Sequence, residues 1–127
     1  MPYALFPHAN NLRAGRFSET GRSYLITTVT AERRPLFLDL ATARLLIQEM
    51  RRCTAEGLAS SLAWVVMPDH LHWLVTLEHG GLARLVKRLK ARSALAINLH
   101  HASHGRVWQP GYNDRAVCSE DDVRAMA

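Results

Sequence analysis

The sequence predicts a ferredoxin-like α+β sandwich, with two helices laid on one face of a four-stranded antiparallel sheet. Three observations carry this expectation. β-branched and aromatic residues gather in short runs such as YLITTVT (24–30) and HLHWLVTL (70–77). Two longer stretches instead repeat apolar residues every three or four positions, the period of an amphipathic helix. These runs succeed one another as strand, helix, strand, strand, helix, strand, helix, an order that buries both helical stripes against one sheet with short connections.

Residues 1–21 are polar and contain glycine, and read as a poorly ordered arm. Tyr24–Thr30 is the first strand, and Pro35 with the charged residues before it forms the connection to a helix. Asp39 is placed to cap that helix, in which Ala43, Leu46, Ile47 and Met50 recur at helical spacing until Gly57 ends it. Leu62–Met67 is an unbroken apolar run, which suits a central strand covered on both faces. A Pro68-Asp69 turn joins it to HLHWLVTL as a hairpin, and Gly80-Gly81 breaks the pair. From Leu82 a long helix buries Leu85, Val86, Leu89, Ser93, Ala96 and Ile97. His100, His101 and His104 fall in the loop expected after it, and with no ligand partners at suitable spacing they read as polar loop residues. Val107–Gln109 and Tyr112–Val117 read as strand on either side of a Pro-Gly turn. Ser119, followed by Glu120, Asp121 and Asp122, marks a last helix start, with only about two turns of helix before Ala127.

The 127 residues are expected to form one domain, and no run of 18 apolar residues suggests a membrane span. Cys53 and Cys118 lack the spacing of a zinc site and read as reduced thiols of a cytoplasmic protein. The net charge is +5, and Gly81–Ser93 carries five bases and no acid, which favours a polyanionic partner such as nucleic acid. Arg84, Lys87 and Arg88 lie opposite the apolar stripe of the second helix, with Lys90 and Arg92 at its flanks.

The chemistry sits in His70 and His72. Strand alternation puts both imidazoles on one face, about 7 Å apart at Cα, and sends Leu71, Trp73, Val75 and Leu77 to the other. The histidines therefore face away from the core, where neutral imidazoles can hold a divalent cation at an open, Lewis-acidic site. Asp69 is adjacent, but points to the opposite face if the strand already begins there.

VVMPDHLHWLVTL (65–77) closely resembles the histidine–hydrophobe–histidine segment of the REP-associated tyrosine transposases, members of the HUH class of single-strand DNA transposases. YLITTVTAERRPLF, RLVKRLKARSALAIN, VWQPGYNDRAV and SEDDVRAMA follow the same family order, so the resemblance runs from about Arg13 to the end. It implies that His70 and His72 are metal ligands, holding Mg²⁺ or Mn²⁺ against a scissile phosphate. The family's nucleophile is a tyrosine on the helix after the last strand. It leaves a 3′-hydroxyl and a 5′-phosphotyrosine, and a polar residue one turn later completes the metal site. Here that helix starts at Ser119, so the tyrosine is expected beyond Ala127, and the catalytic-core domain 1–127 is expected to be inactive as it stands. Tyr3, Tyr24 and Tyr112 match no nucleophile position.

The resemblance further implies single-stranded DNA hairpins of the repetitive palindromic type as partners, and a monomer as the working unit. Arg84, Lys87, Arg88, Lys90 and Arg92 are candidate phosphate contacts, with Arg33 and Arg34 after the first strand. Trp108 and Gln109 are candidates for stacking on or bonding a base. The main alternative is a module of the same fold that holds hairpin DNA without cutting it. A single-strand RNA binder would call for aromatic-rich strands, which are lacking, and a metal-dependent hydrolase would turn over without a covalent adduct.

Overall fold

The structure is a computed structural model describing residues 19–117, so residues 1–18 of the arm expected over 1–21 and the helix expected from Ser119 lie outside the described residues. The last part of that expected arm is ordered: the Glu19 amide donates to the Tyr24 hydroxyl at 2.9 Å and the Gly21 amide to the Leu77 carbonyl at 2.7 Å. The remaining elements are β1 (Ser23–Val29), α1 (Leu40–Ala55), β2 (Ala59–Met67), β3 (His70–Leu77), α2 (Leu82–His101) and β4 (Asn113–Val117). The four strands form one antiparallel sheet in the order β2-β3-β1-β4, the predicted ferredoxin-like arrangement.

Alternation along β3 drives the layering. Leu71, Trp73, Val75 and Leu77 are completely buried, and Tyr24, Ile26 and Thr28 of β1 lie beside them through the antiparallel register. Leu46, Met50 and Cys53 of α1 and Leu85, Leu89 and Ile97 of α2 close over this face in one continuous core. Trp73 spans the core and donates its indole N–H to Ser61 Oγ at 2.9 Å, so its one polar atom is satisfied.

The helix ends follow from local chemistry. Asp39 caps α1: its carboxylate accepts from the Ala41 amide and, at 2.7 Å, from the Thr42 hydroxyl. Glu56 closes the helix, and Gly57 follows with φ +79, the left-handed conformation in which glycine has no Cβ penalty. Gly81 stands at the N-cap of α2, which runs from Leu82 to His101, where Ala102 closes it in a left-handed cap.

Three sequence expectations are corrected. First, β2 is an edge strand and not a central, doubly covered one, and Leu62, Trp64, Val65 and Met67 are 40–53 % exposed. An unbroken apolar run reports hydrophobicity but not the number of neighbours. The central place goes to β3, which pairs on both sides, while a register shift between Ser61 and Ala63 turns part of β2 outward. Second, 107–109 makes only an isolated bridge from Trp108 to Thr30, because the Gln109 and Gly111 carbonyls accept from the Lys90 ammonium at 2.6 and 2.7 Å. Third, His100 and His101 are the last helical residues of α2, not loop residues. His101 Nε2 lies 2.8 Å from Thr42 Oγ1 and ties the end of α2 to the start of α1.

Candidate metal centre and nucleic-acid surface

His70 and His72 occupy the first and third positions of β3, on the sheet face turned away from the helices. Their rings meet edge to face with centroids 4.7 Å apart, and both are half-buried. Register sets their neighbours: Met67 of β2 and Val29 of β1 are opposite His70, and Val65 and Thr27 are opposite His72.

Each imidazole is held through Nδ1. His72 Nδ1 lies 2.9 Å from Thr27 Oγ1, and Thr27 is itself buried. His70 Nδ1 lies 2.7 Å from Asp69 Oδ1. The strand begins at His70, so Asp69 sits in the turn, free of strand alternation, and its carboxylate folds back onto the neighbouring ring. The condition under which Asp69 would face the other side is not met. The second oxygen, Oδ2, accepts from Arg33 Nε at 3.0 Å.

Electrostatics suit cation binding. Burial holds the His72 imidazole below its ordinary pKa, and the nearby His70 adds to the effect, so the ring is neutral near pH 7. The bond to His70 holds the Asp69 carboxyl below its usual range, and Arg33 reinforces it against the opposing effect of desolvation. Two imidazoles with Nδ1 anchored, one of them by a carboxylate, are a donor set that suits a divalent ion with open positions. Among the described residues no group of three or more His, Cys, Asp or Glu could hold a metal, so further ligands would have to be water, substrate or groups outside 19–117.

The predicted cationic side of α2 is divided into two rows. Lys87 and Lys90 face a groove of about 480 Å³ between α2 and the 105–112 segment, which Arg106, Trp108 and Tyr112 also line. On the other side Arg88 reaches α1, where its Nε donates to Glu56 Oε1 at 3.0 Å and its Nη2 to Oε2. Arg84 and Arg92 stand one turn to either side of Arg88, and both are exposed. Lys90 is half-buried, and desolvation holds its ammonium below the ordinary lysine value, with Arg106 adding to this. Its bonds to two backbone carbonyls make it a strut of the loop.

Arg33 and Arg34 lie in the turn after β1, close to the histidine end of the sheet. Arg33 is engaged by Asp69, and Arg34 donates to the carbonyl of Arg106. Trp108 is 4 % exposed, packs against Phe37 with ring centroids 5.7 Å apart, and donates its N–H to Ser93. Its ring is thus core and groove wall, with no open face on which a base could stack. The Gln109 amide donates to Val29, and its side chain is half-buried beside the groove segment.

Sequence reasoning passed over the orienting roles of Asp69 and Thr27. The Pro68-Asp69 turn was a signal for the first, since a turn residue is released from strand alternation. Thr27 carried no signal, because the register that pairs it with His72 spans 45 residues.

The fold is shared with solved proteins. A REP-associated tyrosine transposase, solved bound to a REP hairpin, matches with a TM-score of 0.70 and 20 % identity over 87 % of this chain; this chain spans 65 % of that protein. A protein of Deinococcus radiodurans R1 described as a transposase, solved at 1.90 Å, matches with a TM-score of 0.64 and 24 % identity, over 88 % of this chain and 91 % of its own. At such identities the likeness is one of fold. Among curated proteins no sequence matches. Residues 19–124 match the model of the IS200-like transposases, and the chain belongs to that family.

Proposed function

We propose that this protein binds hairpin-forming single-stranded DNA and cuts and rejoins it, with His70 and His72 as the ligands of a divalent ion, Mg²⁺ or Mn²⁺. The observation that carries the reading is the facing pair of imidazoles on β3, each tied through Nδ1. When bound, the metal supplies positive charge that offsets the charge building on the scissile phosphate. His72 remains neutral through burial and so keeps a lone pair to offer at neutral pH. Asp69 and Thr27 hold the two rings at fixed angles, which favours one geometry of the bound phosphate over many.

The attacking group is a tyrosine outside residues 19–117, which the family resemblance assigns to the helix after β4. Tyr24 belongs to the helix-side core and is 7 % exposed, and Tyr112 lines the α2 groove, so neither serves. The tyrosine oxygen bonds to phosphorus, and the displaced oxygen departs as a 3′-hydroxyl. The phosphotyrosine linkage conserves the bond energy for rejoining. The exposed bases Arg84, Lys87 and Arg92 serve as phosphate contacts, with Arg33, Arg34, Arg88, Lys90 and Gln109 as secondary candidates.

The test uses the protein expressed to the natural end of its reading frame, 3′-labelled single-stranded hairpin DNA, and Mn²⁺. The expected result is label on protein in a denaturing gel that disappears in His72→Ala. If the protein shifts the hairpin on a native gel yet never forms the adduct, the catalytic reading gives way to a hairpin-binding protein of the same fold.

A further inference from the structure

We propose that Asp69 is a positioning residue that locks His70 with its proton on Nδ1 and its Nε2 lone pair available to the cation, and that Arg33 aims the carboxylate. The inference rests on the reading of His70 and His72 as metal ligands and extends it to the groups behind them.

The geometry is specific. Asp69 uses its two oxygens on two different partners, Oδ1 on His70 Nδ1 at 2.7 Å and Oδ2 on Arg33 Nε at 3.0 Å. An ionised carboxylate only accepts hydrogen bonds, so the nitrogen it touches must carry the proton. The other nitrogen, Nε2, is then the metal-binding one. Thr27 beside His72 differs, because a hydroxyl can donate or accept and imposes no tautomer. His70 thus has its protonation pattern dictated by a neighbour of fixed role.

The backbone is built to hold the carboxylate there. The Thr30 amide and hydroxyl both donate to the Asp69 carbonyl, at 2.9 and 3.1 Å, and the Phe37 amide donates to the Pro68 carbonyl at 3.0 Å. Glu32 and Arg33 are consecutive non-glycine residues with φ of 58 and 51, in the left-handed region that side chains disfavour. This reversal brings the Arg33 guanidinium back over the Pro68-Asp69 turn. A relaxed connection would not need two such residues. Neither the capping of the next helix nor the core uses the Arg33 side chain, and its ion pair with Asp69 lies 63 % exposed on the arginine side. Such a pair adds little stability, which leaves orientation of the carboxylate as its consequence.

Two measurements on the full-length protein test the proposal. Long-range ¹H–¹⁵N correlation on the metal-free protein reports the His70 tautomer. The wild type is expected to show Nδ1–H, and Asp69→Ala to lose it. Mn²⁺ affinity, read from the electron paramagnetic resonance signal of free Mn²⁺, is expected to weaken 10- to 100-fold in Asp69→Ala. Asp69→Asn, whose amide oxygen still accepts from Nδ1, is expected to recover most of that loss, and Arg33→Met to fall between. Asp69→Asn nearly preserves the shape of the turn, so it keeps the proposal testable if the alanine variant folds poorly. A wild-type His70 that carries its proton on Nε2, or an Asp69→Ala protein with wild-type Mn²⁺ affinity, would overturn it. Wild-type protein that binds no Mn²⁺ would instead sink the metal reading on which it rests.

Discussion

Thr27 and Thr28 are adjacent on β1 and face opposite sides of the sheet. Thr27 turns to the histidine face and meets His72, whereas Thr28 turns under the helices, 1 % exposed, and its hydroxyl has no partner among the described residues. A buried hydroxyl without a partner forfeits its bonds to water, so Thr28→Val is expected to raise unfolding stability by about 1 kcal/mol in urea titration. Cys53 offers a pH test. Burial pushes its thiol up to about 11, with Glu56 contributing. Below the unfolded value near 9 the thiol is protonated in both states and contributes nothing. As pH rises above 9 the unfolded thiol ionises while the folded one does not, so stability declines up to about pH 11. Stability measured across this window should fall more in the wild type than in Cys53→Ala. Iodoacetamide at pH 8.5 should label Cys53 only after urea is added. The same scale shows what could be read from sequence: the two histidines and their facing were legible from alternation alone, while their anchors Asp69 and Thr27 depended on where a strand begins and which strands pair.

Between elements, β2 and β3 show how much of a strand's meaning lies in its neighbours. Both are rich in apolar residues, and each carries a tryptophan. Trp73 on β3 is fully buried, and Trp64, its partner across the register on β2, is 46 % exposed. Trp73→Ala is expected to cost about 3–5 kcal/mol, by lost burial plus the cavity left behind. Leu62→Lys, at the register shift of the edge strand, should change stability by less than about 1 kcal/mol. Equilibrium denaturation of the two variants checks the assignment of centre and edge, and similar losses would contradict it. The helices were easier to read, because their punctuation is local: Asp39, Gly57 and Gly81 act within one turn of their own positions. The C-terminal end of α2 was misread because three histidines and a serine resemble a loop, while the packing of His101 on Thr42 carries the helix two residues further.

Across the whole molecule, the tertiary structure assigns different tasks to bases that look equivalent in RLVKRLKARS. Lys87 is exposed at the α2 groove, whereas Lys90 bridges the carbonyls of Gln109 and Gly111. Lys87→Met is expected to leave folding unchanged, to weaken hairpin DNA binding, and to lower the slope of log affinity against log salt by about 1. Lys90→Met is expected to lower stability by about 1 kcal/mol, because charge-assisted bonds that hold the 105–112 segment are lost. A native-gel titration at several salt concentrations, paired with thermal unfolding, separates the two outcomes. Among the described residues no helix is long and apolar enough to cross a membrane.

From the sequence alone came the sandwich architecture, the helix limits set by capping residues, and the pair of histidines turned away from the core. These depend on periodicity and on chemistry within a few residues. Which strand is central, which lysine is a strut, whether Trp108 offers a face, and what stands behind each imidazole were decided only by the tertiary structure. Each of those answers depends on contacts between residues far apart in the chain, such as Thr27 with His72 or Lys90 with Gly111, and a periodic pattern carries no record of its partner.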